Sequence, residues 1–192
     1  PALLERDPDN RLLARAPRFR LPGEVVRDQA LALAGLLSPT IGGPSVKPYQ
    51  PEGLWEVTNN TYDPGQGEDL YRRSLYTYWK RSVAPPSLAM FDVAERDNPA
   101  VAHNRTNTPL QALALMNDVT YLEAARMFAE RMLTEGGTTD EDRLTYGFRL
   151  ATAREPNETQ FDVLLDQLHG FRERYRTDEE AALKVLSQGE HP

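Results

Sequence analysis

The chain contains no cysteine. That excludes disulfides, thiolate zinc sites, iron–sulfur clusters and a C-x-x-C-H haem attachment within these residues. Long hydrophobic runs are missing too: no window reaches the ~18 apolar residues of a membrane span, and no basic, apolar, small-residue series marks a signal peptide. An excess of positive charge is also lacking. With 22 Lys+Arg against 29 Asp+Glu the formal charge is −7, and that field opposes nonspecific binding to nucleic acid or to anionic lipid. Histidine is scarce, and His103, His169 and His191 stand at no metal-ligand spacing. Gly42-Gly43-Pro44-Ser45 lacks the G-x-x-x-x-G-K-[ST] pattern of a phosphate loop, so a turn is the better reading.

What is present suits one core. The 192 residues, 40% of them hydrophobic, are ordinary for a globular domain. We divide a single domain, 1–192, into N-terminal helices with a Pro/Gly-rich loop (1–53), a β element with an irregular lead-in (54–108) and a helical bundle (109–192). An opening Pro1 without an initiator Met, and an end just after a short helix, suggest an excerpt of a longer polypeptide. No membrane span is expected in it.

The central signal is RTNTPLQALALMND, residues 105–118. Thr108 suits an N-cap, Pro109 the first helical position, and Gln111 the third, which completes a capping box. A single helix is expected from there to about Thr134, with Leu110, Leu113, Leu115, Met116, Val119, Leu122 and Phe128 around most of its circumference. An all-round apolar helix is a buried one. Upstream, DNRLLARA predicts a short helix over 9–16. A second is expected from Gly23 to Leu37, with Val25, Val26, Gln29, Leu33, Leu36 and Leu37 on its apolar face. SPTIGGPSVKPYQPEG, with its Pro and Gly, is an ordered loop. RRSLYTYWKR alternates Arg73, Leu75, Thr77 and Trp79 with Ser74, Tyr76, Tyr78 and Lys80, and so predicts a strand. PSLAMFD fits one helical turn. Downstream, Thr139, Asn157 and Thr177 are expected to cap three further helices, the middle one with a core stripe of Phe161, Leu164, Leu165, Leu168, Phe171 and Tyr175. The fold class is therefore mainly α: a helical bundle around a buried central helix, with a small β element and long ordered loops.

Two constellations are candidates for binding. Arg105, Asn107, Gln111, Asn117 and Asp118, with Asp92 and the strand arginines near, could build a polar pocket; the same residues serve equally as caps and as satisfied buried groups. Tyr76, Trp79, Lys80 and Arg81 offer rings and cations for a sugar or an anionic glycan. A half-buried strand whose arginines pair with Glu68, Asp69 or Asp92 explains them too. Carboxylates such as Glu56, Asp63, Glu95 and Asp97 lie in irregular segments, but spacing alone defines no acid/base pair.

RTNTPLQAL with MND and EAARMFAERML, preceded by GEDLYRRSLYTYWKR and IGGPSV, resembles Planctomycete-specific domain one, catalogued as domain of unknown function fifteen fifty-three. The likeness runs from DPDNRLLAR through YGFRLATAREPNETQ. It implies the C-terminal portion of a large exported protein, a periplasmic or cell-envelope setting, and cytochrome c-like haem domains upstream, with no cofactor in this chain. One departure is local: Arg96-Asp97-Asn98-Pro99 stand where the pattern often has a cysteine. The resemblance supplies no catalytic mechanism. The expected role is a noncatalytic structural or interaction module that docks other domains of the same polypeptide. Two alternatives remain open, a carbohydrate-binding or carbohydrate-processing face and a redox partner surface beside a haem.

Overall fold

The computed structural model describes residues 2–15, 20–55, 60–80, 82–94, 101 and 105–191. Among them the chain is mostly helical: α1 (Ala2–Arg6), α2 (Gly23–Ala34), α3 (Pro86–Ala89), α4 (Pro109–Asn117), α5 (Val119–Glu135), α6 (Asp140–Thr152), α7 (Glu158–Thr177) and α8 (Glu179–Leu186). The most extensive helix contact joins α2 to α5. One core cluster sets Leu31 against Leu70 and Tyr71; another sets Ala34 against Ala124 and Met127. Complete burial of a leucine such as Leu31, 0% exposed, is worth roughly 1.5–3 kcal/mol.

The first expected helix is displaced. α1 ends at Arg6, and Asp7 then spends its carboxylate on the amides of Arg11 and Leu12, both at 2.8 Å. A side chain that satisfies amides locally offers the backbone an alternative to the helix, and Asn10 and Leu13 adopt positive φ. The second helix forms as expected but turns another face inward. Its buried residues are Gly23, Arg27, Leu31 and Ala34, while Val25 is exposed. Gly23 is needed for close approach, since a Cβ there would lie 2.6 Å from Val93 Cγ2.

The expected central helix is two helices. Asp118 is extended, ending α4 and capping α5 through Thr120 N at 2.9 Å. The second segment carries the core; the first does not. On α4 only Gln111 is buried, while Leu110, Leu113, Leu115 and Met116 are exposed. The stripe expected on α7 is likewise only partly covered: no residue of that helix is fully buried, and Phe171 is exposed.

The β element reduces to isolated bridges among the described residues, Ser38 to Arg72, Val46 to Thr77 and Lys80 to Val83. A 3-10 turn at Gly67–Tyr71 precedes the alternating segment, and a second, Ser74–Tyr76, stands within it in place of the expected strand. Asp28 on α2 accepts from both the amide and the hydroxyl of Ser74 at 2.7 Å, holding that turn against the helix. The capping box expected at Thr108/Gln111 forms, and Thr139 and Asn157 cap as expected, each completing a box, with Asp142 and Gln160. For α8 the cap is Asp178 and not Thr177, which closes α7 by bonding back to Arg174 O.

Candidate functional site

The polar group flagged by sequence assembles around the start of α4, with Gln111 at its centre. This side chain is 1% exposed. Its Oε1 accepts from Thr108 N at 3.2 Å and from Arg20 Nη2 at 2.6 Å; its Nε2 donates to Met90 O at 2.9 Å and to Thr106 Oγ1 at 3.1 Å. A primary amide has two donor hydrogens and an oxygen with two lone pairs. Every one of those positions is occupied.

Arg20 also donates to Asn107 Oδ1 at 2.8 Å, so one guanidinium joins the chain before α2 to the chain before α4. Asp92 sits at φ 61 and accepts from Thr106 through both the amide, at 2.6 Å, and the hydroxyl, at 2.7 Å. The Thr106 N–H, chiefly, holds the Asp92 carboxyl below the usual range for an aspartate. Asp92, Arg105 and Arg20 border a cavity of about 30 Å³, room for about one water. This is a knot that ties segments together.

Asn117 and Asp118 do not join the knot. Asn117 donates to Leu113 O at 2.8 Å on its own helix. Asp118 caps α5, and burial pushes its carboxyl upward against the opposing pull of the Thr120 bonds and the Arg27 charge.

The aromatic constellation is fastened differently from expectation. Tyr76 Oη accepts from Gly42 N at 2.8 Å, and the Arg72 guanidinium lies 3.9 Å from the ring centroid. Arg72 reaches on to Pro44 O at 2.9 Å, so it fastens the Pro/Gly-rich loop and does not ion-pair with Glu68. Glu68 accepts from the hydroxyls of Ser38 and Thr40, at the other end of that loop. Nearby, Trp55 is 6% exposed, bonds Gln50 through Nε1 at 2.8 Å, and packs on Tyr62 and Tyr78. Lys80 lies over its ring at 4.6 Å. Tyr76 and Trp79 are half-buried, and Tyr78 is 37% exposed. Arg81, together with His103, Glu56, Glu95 and the Arg96–Pro99 stretch, lies outside the described residues.

Sequence reasoning missed three charged residues that organise these surroundings. Arg27, 3% exposed, donates to Leu70 O at 2.7 Å and to Arg72 O at 2.9 Å. Burial lowers its pKa, and Asp28 is its nearest counter-charge. Arg27 and Glu123 stand within amphipathic helices, where a charge reads as a solvent position, and Arg20 stands in the irregular segment before α2. No local signal marks them otherwise.

Among the described residues no group of three or more His, Asp or Glu is placed to hold a metal ion, and no helix is long and apolar enough to cross a membrane. Residues 1–168 match the family model PSD1, a protein of unknown function (DUF1553). The chain belongs to that family. No curated protein and no solved structure matches it. The PSD1 match takes in α1 to α6, the knot and the aromatic constellation, whereas α8 and the residues after it lie beyond the matched span.

Proposed function

We propose that this PSD1 chain is a noncatalytic interaction module whose α4 presents an apolar face to other domains of the same polypeptide. The observation that carries the reading is the inversion of α4. Leu110, Leu113 and Met116 are 62, 52 and 63% exposed, while the polar Gln111 is buried. Residues at i, i+3 and i+6 form one stripe along a helix, and contiguous exposed apolar surface of this kind marks interaction sites. The knot beneath holds the stripe in place, because Gln111 and Asn107 anchor the first turn to Arg20. The setting that goes with this reading is the cell envelope or periplasm, with cytochrome c-like neighbours, as the family resemblance implies.

The test is thermal denaturation of the native polypeptide and of this chain alone, each with and without the pair L113E/M116E. The pair should destabilise only the former. Equal effects in both would reject the reading.

A second reading, a carbohydrate-binding face, is favoured by Tyr78 and Trp79, which keep some exposure, and by Lys47, 5.9 Å from the Tyr78 ring. Binding to the folded state raises apparent stability. Absence of any thermal shift with millimolar sulfated or neutral oligosaccharides rejects it.

A further inference from the structure

After α8 the chain lies across the body of the protein much as a peptide lies in a receptor. His191 N donates to Glu123 Oε1 at 2.8 Å, and Arg126, further along α5, donates to His191 O. Glu190 N donates to Tyr49 Oη at 2.8 Å, while the Glu190 carboxylate accepts from Gly67 N at 3.0 Å. Gly189 has φ +88, and a Cβ built on it would stand 2.2 Å from Glu123 Cδ. Only glycine fits that place.

Glu123 forms the floor of the site. It is 0% exposed, and Oε1 receives Tyr71 Oη at 2.9 Å as well as the tail amide. Its Oε2 is buried and meets no protein donor in hydrogen-bond geometry among the described residues. A buried carboxylate oxygen without a partner is costly. Moving the tail aside would admit water to that oxygen, which offsets part of what the tail contacts contribute. α8 itself has no fully buried residue. Its seat rests on packing against α5 and α7 together with the Gly189–His191 contacts.

We propose that Glu123, Tyr49, Arg126 and the Gly67 amide form a peptide-binding cradle, occupied in cis by Gly189–His191 as a releasable latch. Val185 and Leu186, just before the latch, wall an apolar cleft of about 650 Å³ whose other lining includes Leu122, Leu133, Phe171 and Tyr175. Release frees the cradle for a glycine–acidic–X segment of another chain and lets the cleft widen. The cradle is separate from the α4 face, and either can fail without the other.

The absence of cysteine allows spin labels on the full chain at A32C and K184C. The labelled parent should give one distance. G189V should add a second, longer population and speed hydrogen exchange in α8 while α5 and α6 keep their protection; E190A should do the same to a smaller degree. A synthetic SQGEH peptide should bind the G189V chain roughly tenfold more tightly than the parent, because apparent affinity scales with the open fraction, and SQVEH should bind neither. Unchanged distances and exchange in both variants would overturn the proposal. So would equal acceleration across α5, α6 and α8, which makes the tail part of the common core, or peptide affinity that does not differ between variant and parent.

Discussion

At the scale of the residue, Gln111 does what a hydrophobic side chain does elsewhere in the protein: it fixes one element against another. Substituting Ala leaves Arg20, Thr108 N and Met90 O without their partner, and an unsatisfied buried polar group costs about 1–3 kcal/mol. Q111A should lower the unfolding free energy by that order, seen as a lower urea midpoint at unchanged m, and no shift would contradict the knot. Asp92 gives a pH signature. Its folded pKa is depressed, chiefly by the Thr106 N–H, so its contribution is present above the unfolded aspartate value near ~3.9 and is lost as pH falls through the folded value. D92N keeps a residue type that tolerates φ 61 while removing the charge. Stability of the parent should therefore fall more steeply than that of D92N as pH is lowered below about 4, measured by denaturation at stepped pH; parallel curves would contradict the assignment. The capping role of Gln111 was legible in the T-x-x-Q spacing. Its bonds to Arg20 and Met90 were not, because they join residues far apart in sequence.

At the scale of the element, local signals that fix helix ends were readable and those that fix faces were not. Thr108, Thr139 and Asn157 cap as their spacing indicates, since a cap is a contact within a few residues. The apolar run after Pro109 reads as one buried helix because hydrophobicity signals a need for cover without saying what supplies it. Asp118 also looks like any polar interruption until its carboxylate is seen bonding Thr120 N. In RRSLYTYWKR the period of two is real, but Asp28 and the loop carbonyls around Arg72 decide the backbone path. The two halves of the apolar run should respond oppositely to mutation in the isolated chain. L113E should change stability by no more than about 0.5 kcal/mol, as surface substitutions do, whereas M127A in the α2–α5 core should cost about 2–5 kcal/mol. Chemical denaturation of both distinguishes this arrangement from a buried α4, for which L113E would be the more damaging.

At the scale of the whole molecule, the chain combines a modest α2–α5 core with polar ties between segments and an apolar stripe on α4 that faces outward. Arg20, Arg72 and Arg27 fasten distant segments by reaching backbone carbonyls or side-chain amides. These are uses of arginine that stabilise a framework and leave the candidate residues engaged within the chain. The fold class was legible from composition and helix punctuation. The outward-facing apolar stripe was not, because it emerges only when the surfaces used internally are known. Membership of PSD1 is established, and the docking role rests on that stripe. The most direct test is hydroxyl-radical footprinting of Met116, 63% exposed, in this chain alone and in the native polypeptide, with exposed Met90 on the same molecule as internal reference. A docking face requires Met116 oxidation to slow in the native polypeptide while Met90 oxidation is unchanged. Equal Met116 oxidation in the two would contradict it.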